Sequence, residues 1–445
     1  MILFVLINII ILLTLCLIFS NISILVIGLL GLLIVTQTAK KEDSKIYGYM
    51  AGIYLAAVFL MLILYYGYMA QYGTPYYLGG SDDLAFEKTA EYILQAGYHL
   101  PNELLNEPSL YYHSAKGFLW LLSWLIRFCD IFGGYHTIAY RILNIYFLMT
   151  LGIFVYKYFS SKYDFSNKQN LVLLLAVTMF PNAQYISIHV FRDTLNILIL
   201  FVIFVIWDIC SSKEKLSKIM IIKTLSITLI LTYVSFWMRA QNLIFIAAIV
   251  LLNLFLKNKV LTKRTLSVYL GALLVTLIIF SYLGVFKEII KFNEYYKDYL
   301  LETNQGLSQR IFSMNLLPFG ILFRIAFGLV SPLPLGILQF TDMFTDIEAF
   351  FKVIVSAGII IQIYLTPYLL LNIRRIDKVT IVYIMFFLAT VVTTFTFRHF
   401  IMLYPFMAIL IFRQFYKTPK QTKLLLFSGM TIILALSAGA YILIK

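Results

Sequence analysis

Asp82 and Asp83 stand side by side just past the end of an apolar run, between Gly79-Gly80-Ser81 and a helix-patterned stretch, 84–94. Two carboxylates are costly near lipid, so such a pair belongs at a membrane interface or in a wet cavity. One of them suffices to cap the helix, and the second is left over for chemistry. Asp82 directly follows the glycine turn and is expected to point into a cavity, while Asp83 adjoins the helical run and is expected to cap it. Further along the chain, Glu87, Arg141, Asn144, His189, Arg192, Asp193, Arg239, Arg310, Arg324, Arg398 and His399 also sit inside or beside apolar runs. Each has a plain structural explanation. Arg141 and Arg192 suit snorkelling at an interface, Arg192-Asp193 a local ion pair, His189 a wet loop and Arg239 a span end. The set is harder to explain that way. A carboxylate can take a proton from a hydroxyl or amine as general base, and arginine forks stabilise a departing phosphate or diphosphate.

The elements that must position these groups are membrane helices. The chain is 61% hydrophobic and 13% charged, where soluble domains carry about 25% charged residues. An all-α polytopic membrane protein is the expected fold class, with about 13 transmembrane helices. The apolar runs are 1–19, 22–36, 46–69, 138–158, 171–186, 195–209, 220–237, 243–256, 266–286, 350–371, 380–395, 400–412 and 424–443. No cationic segment precedes the first run, so a cleaved signal peptide is not expected. Residues 115–132 read as an amphipathic helix lying on the outer surface, and 316–340, broken by SPLPLG, as re-entrant or surface-lying.

Charge sets the orientation. The basic loop at Lys40, Lys41 and Lys45 puts the N-terminus in the cytoplasm and the Asp82-Asp83 loop outside. With that assignment the cytoplasmic loops hold 21 of the 35 Lys and Arg, against five Asp and Glu. The net charge of +14 is then orientation signal and contact with anionic lipid, and no nucleic-acid partner is expected. The polar candidates all collect at the outer face. Three parts follow: an N-terminal hairpin and loop (1–45), a catalytic module (46–415) with outer loops 70–137 and 287–346, and a basic loop with a last span (416–445). Cys16, Cys129 and Cys210 have no pairing or metal spacing and read as packing residues. No Walker-type loop, HExxH or Cys/His cluster occurs.

Glycosyl transfer from a lipid-linked phosphosugar needs both a base and phosphate-holding arginines, placed where the lipid tail stays in the bilayer. The chain resembles the GT-C superfamily of polytopic glycosyltransferases, in particular bacterial relatives of protein mannosyltransferases and aminoarabinose transferases. The resemblance spans roughly residues 46–415 and rests on four stretches. They are YYLGGSDDLAFEKTAEYILQAGY, the segment from EPSLYYHSAKGF to the Arg141-x-x-Asn144 span, FPNAQYISIHVFRDTLNILILF, and RHFIMLYPFMAILIF with Arg398, Tyr404 and Pro405. It implies an inverting transferase that uses a polyprenyl-phosphate sugar, with Asp82 or Asp83 as base. It implies Arg398 near the carrier phosphate; Arg141, Arg192, Arg239, Arg324 and His399 are expected to join it, and Glu87, His113, His189 and Tyr404 to contact acceptor or sugar. The acceptor would be a glycan, lipid or protein at the outer face of the cell membrane. The two N-terminal spans and the missing Asp-Glu order of the mannosyltransferases depart from the family pattern.

Two other classes fit the composition. A cell-surface polysaccharide polymerase or ligase would lean on the loop 287–315 and need neither Asp82 nor Asp83. A flippase or transporter should show internal repeats and charges at mid-membrane; no repeat is evident, and the charges lie at the rim. No cofactor is expected. The acidic pair can hold a divalent metal through oxygen ligands, but the abundance of arginine favours metal-independent handling of phosphate.

Overall fold

The computed structural model describes residues 1–40, 42–78, 82–101, 103–105, 115–212, 218–255, 263–282, 284, 287, 310–311, 313–315, 319–330, 334–373, 376–393 and 397–444. Every regular element among the described residues is helical. Hydrocarbon offers no partners for backbone N–H and C=O groups, so a chain this apolar must satisfy them within its own helices. Contacts gather the chain into two compact units, Met1–Asn304 and Gln305–Lys445.

Among the described residues six helices are long and apolar enough to cross a membrane: Ser44–Tyr72, Thr137–Lys162, Asp193–Ser212, Lys218–Met238, Ile347–Asn372 and Arg398–Lys417. Five further apolar helices are shorter: Ile2–Ile18, Ile22–Thr38, Asn242–Phe255, Ser267–Tyr282 and Lys378–Val392. The chain is thus an all-α, membrane-embedded protein.

The first unit comprises α1 (Ile2–Ile18), α2 (Ile22–Thr38), α3 (Ser44–Tyr72), α4 (Asp82–Gln95), α5 (Lys116–Asp130), α6 (Thr137–Lys162), α7 (Asn167–Thr178), α8 (Pro181–Ser187), α9 (Asp193–Ser212), α10 (Lys218–Met238), α11 (Asn242–Phe255) and α12 (Lys263–Tyr282). The buried helix α6 lies at its centre, and the N-terminal hairpin packs on it. In α2, Gly28 and Gly31 leave the space that Leu12 of α1 and Tyr146 of α6 fill; small residues let membrane helices approach in this way. The Tyr146 hydroxyl also donates to Asn8 at 2.8 Å. The hairpin is therefore part of the first unit, and packing marks no boundary at residue 45.

Local signals end the helices where the sequence places them. Asn21 caps α2 and Asp43 caps α3, while Ser166 and Gln169 form a capping box on α7. The run expected to cross at 171–186 is two helices. Pro181 cannot continue α7, having no N–H to donate, and instead opens α8 from its first position. Helix α5 has 15 residues, about 22 Å at 1.5 Å per residue. Its Trp124, Arg127, Phe128 and Asp130 are exposed. Gly133 and Gly134, both at positive φ of 95° and 100°, make the turn into α6 that other residues would resist.

The second unit contains α13 (Ile321–Val330), α14 (Ile347–Ile373), α15 (Lys378–Thr393), α16 (Tyr404–Lys417) and α17 (Lys420–Ile444). In the segment expected to be re-entrant, α13 has ten residues and is followed by a 3-10 turn at Leu335–Gln339. Most of the loop 287–315 lies outside the described residues.

Candidate active site

Polar contacts sort the first unit into two ends. At one end Asn21 Nδ2 donates to the Gly134 carbonyl at 3.2 Å, and Phe19 packs on Tyr65 and His136. The same end holds the start of α4, the turns before α6 and α9, and the junction of α10 with α11. At the other end Lys157 pairs with Glu42 at 3.1 Å and Lys162 with Asp208 at 2.8 Å. The first unit's described candidate residues gather at the first end, and Lys157 and Lys162, expected in the cytoplasm, lie at the second.

Of the acidic pair, Asp83 is the buried member and Asp82 the exposed one, with both in the first turn of α4. Asp83, not Asp82 as expected, is the one that points into the protein. Helical spacing explains it: Asp83, Phe86, Glu87 and Ala90 share the face that α4 buries, and Asp82 lies off that face. The two carboxylates therefore do not converge as a joint cation cradle. Among the described residues no group of three or more His, Cys, Asp or Glu is arranged to hold a metal.

Asp83 Oδ2 accepts from the Val190 N–H at 3.2 Å and lies 3.8 Å from Arg141 Nη2. Arg141 is 0% exposed. Its Nη2 donates to the Pro75 carbonyl at 2.6 Å, and its guanidinium stands 5.8 Å from the Tyr76 ring centre. Nε and Nη1 have no hydrogen-bond partner among the described residues. A buried guanidinium with unmet donors is costly. Such donors suit an anion, since each can point at a separate acceptor oxygen.

Glu87 lies one turn after Asp83, and its carboxylate is engaged by two tyrosines. Its oxygens accept from the Tyr76 hydroxyl and, at 2.7 Å, from the Tyr135 hydroxyl. Burial pushes its carboxyl above the ordinary carboxylate range, opposed in part by those hydroxyls and by Arg141. His136 caps α6 by accepting the Ile138 N–H at Nδ1, 3.2 Å away. Burial first, and then the charge of Arg141, bring its pKa down to about 4, so the ring is neutral at pH 7 and keeps the acceptor the cap needs.

The remaining expected residues divide by unit. His189 is buried, with Nδ1 2.7 Å from the Tyr185 carbonyl and its ring stacked on Phe191. It is not the wet loop residue the sequence suggests. Arg192 Nη1 donates to the Met238 carbonyl at 2.9 Å, and Arg239 pairs with Asp193 at 2.6 Å. Both arginines thus have protein partners. The expected ion pair between Arg192 and Asp193 is replaced by Asp193–Arg239, which ties the start of α9 to the end of α10. Beside it Asn242 donates to Asn196 at 2.6 Å.

In the second unit Arg324 is buried and donates to the Val392 carbonyl at 2.9 Å, while Arg398 and His399 are half-buried. Tyr404 lines a small cleft with Gln362, Thr366, Tyr383, Phe387 and Phe400. His113 lies outside the described residues. The sequence reading missed Tyr68, Tyr76, Tyr135 and the backbone at Pro75 and Val190. Tyrosine is too common here, at 32 residues, to stand out, and backbone donors leave no mark in a sequence.

No family model, curated protein or solved structure matches the chain. Fold and site together define an α-helical membrane protein with a buried Asp–Arg pair at one end of its first unit.

Proposed function

We propose that the chain is a membrane glycosyltransferase that moves a sugar from a polyprenyl-phosphate donor to an acceptor. On this reading it crosses the cell membrane about 13 times, with the N-terminus cytoplasmic and the Asp83 end extracytoplasmic. The observation that carries the reading is Arg141: wholly buried, beside the Asp83 carboxylate, with two nitrogens unpartnered among the described residues. A base beside a guanidinium with unmet donors is what the transfer requires. The acceptor oxygen attacks C1 of the sugar as its proton passes to Asp83. The bond from C1 to the phosphate oxygen breaks, and its electron pair leaves with the phosphate, whose charge Arg141 holds. Oδ2 accepts from the Val190 N–H at 3.2 Å beside Arg141, which sets the direction of the carboxylate. The sequence resemblance to GT-C transferases supports the same reading, and direct attack on C1 inverts the sugar.

Asparagine keeps the size of aspartate and still accepts from Val190, but it cannot take a proton. In reconstituted protein, transfer from a panel of polyprenyl-phosphate hexoses into membrane acceptors should fall about 10²–10⁴-fold for Asp83→Asn. Asp82→Asn should stay active. Full activity of a folded Asp83→Asn protein would falsify the reading.

A further inference from the structure

The peptide bond between His189 and Val190 is gripped on both sides. Its N–H donates to Asp83 Oδ2 at 3.2 Å. Its carbonyl, that of His189, accepts from Asn144 Nδ2 at 3.1 Å, and Asn144 Nδ2 also reaches the Ile186 carbonyl at 3.3 Å. Residues 188–192 lie between α8 and α9 and belong to no helix, so no helical ladder fixes the direction of the Val190 N–H. Side chains do so instead: Asn144, and Tyr140, which donates to the Phe191 carbonyl at 3.0 Å. We infer that Asn144 is a positioning residue for Asp83, acting through the 189–190 peptide. The inference rests on the reading of Asp83 as the base.

Three points support it. Asn144 is fully buried on α6, one turn after Arg141, so both residues address the same side of the site. Its amide orientation is fixed, since only the NH₂ group can serve two carbonyls. Finally, a peptide whose carbonyl accepts a strong hydrogen bond becomes a better donor at its N–H. Asn144 thus does more than hold a turn. It aims the N–H that holds Oδ2, and so sets the direction of the Asp83 carboxylate, and it strengthens that donation.

A purely structural asparagine would lower stability and leave the chemistry of Asp83 unchanged, so the pH profile separates the two roles. A carboxylate that loses a donor takes a proton more readily. In the full-length protein, with the same donor panel, Asn144→Leu should lower kcat about 10-fold with KM for the donor unchanged. The acid limb of kcat should move up by roughly half to one pH unit. Among the described residues the charged and titratable groups on the elements around Asp83 include Arg141 and Tyr140 on α6, Tyr68 on α3, Lys116 on α5, His189 and Arg192 in the turn, and Asp82 and Glu87 on its own helix. None of them is altered by the substitution. Val190→Pro removes the N–H itself and should move the limb the same way; combined with it, Asn144→Leu should cost nothing more. Should Asn144→Leu fail to fold, Asn144→Ser replaces it, because a serine hydroxyl is too short to reach the His189 carbonyl from that position. A wild-type limb and kcat in the folded Asn144 variant, or losses that multiply in the double variant, overturn the inference. With Asp83→Asn assayed alongside, an inactive Asp83 variant beside an unshifted Asn144 variant sinks the positioning role alone. An active Asp83→Asn protein removes the base and this role together.

Discussion

The two ends of the first unit each bury an aspartate against a cation, and they do so differently. At one end Asp208 meets Lys162 at 2.8 Å, with the Tyr158 hydroxyl on the same oxygen at 3.1 Å. Lys162 is 29% exposed, so its ammonium remains partly in water. At the other end Asp83 and Arg141 stand 3.8 Å apart, both nearly or wholly buried. A second pair at that end, Asp193–Arg239, is as dry but closes to 2.6 Å. Charge type does not distinguish these pairs; closeness and leftover capacity do. A tight pair has its electrostatics committed to a partner. The loose pair keeps two guanidinium nitrogens without protein acceptors among the described residues, and that surplus suits it to an incoming anion.

The sharpest way to break this comparison is to remove the carboxylate of the tight pair. Asp193→Asn leaves Arg239 buried without its counter-charge, which costs about 3–5 kcal/mol. The expected outcome is a marked fall in the melting temperature of the detergent-solubilised protein, well beyond any change for Asp83→Asn. If the two variants melt alike, Asp83–Arg141 is a staple of the same kind and the division between staple and site fails.

Next in size is Arg141→Lys, which keeps the charge and one donor for the Pro75 carbonyl but loses the planar fork. On the proposed role, donor turnover should drop about 10²-fold or more while the protein remains folded by size-exclusion chromatography. Activity equal to wild type would mean that the two unpartnered nitrogens play no part in turnover.

How far the sequence reveals this difference varies with the kind of physics involved. Membrane embedding and helix ends are written in apolar runs and caps, so α3, α6, α9 and α10 lie close to where hydropathy predicts them. The gathering of Asp83, Arg141, His189 and Arg239 at one end is legible too, because alternating helix direction sends alternate loops to the same side. The choice between Asp82 and Asp83 was accessible from helical spacing, since Phe86, Glu87 and Ala90 mark the buried face. The Gly79-Gly80-Ser81 sequence points the other way, towards Asp82. Pairing was not legible. Nothing in the sequence shows that Asp193 selects Arg239 over its neighbour Arg192, or that Glu87 is engaged by Tyr76 and Tyr135. Those choices depend on where helices distant in sequence come to rest.

The smallest expected effect comes from the wet end and serves as the control. Lys162→Met keeps the length of the side chain and discards its charge. Asp208 keeps the Tyr158 hydroxyl, and the site formerly held by a partly exposed ammonium becomes open to water. Asp208 is itself only 3% exposed, but the pair opens to water on the ammonium side, and screening there weakens it. Stability should therefore shift by only about 1 kcal/mol, and transfer activity should be unchanged. The result bears on function because Lys162 and Arg141 lie at opposite ends of the same helix, α6. If α6 merely needed its charges neutralised, the two substitutions would act alike. A tenfold loss of turnover in a well-folded Lys162→Met protein would mean that the ends are coupled, and that the loose pair at Asp83 does not act alone.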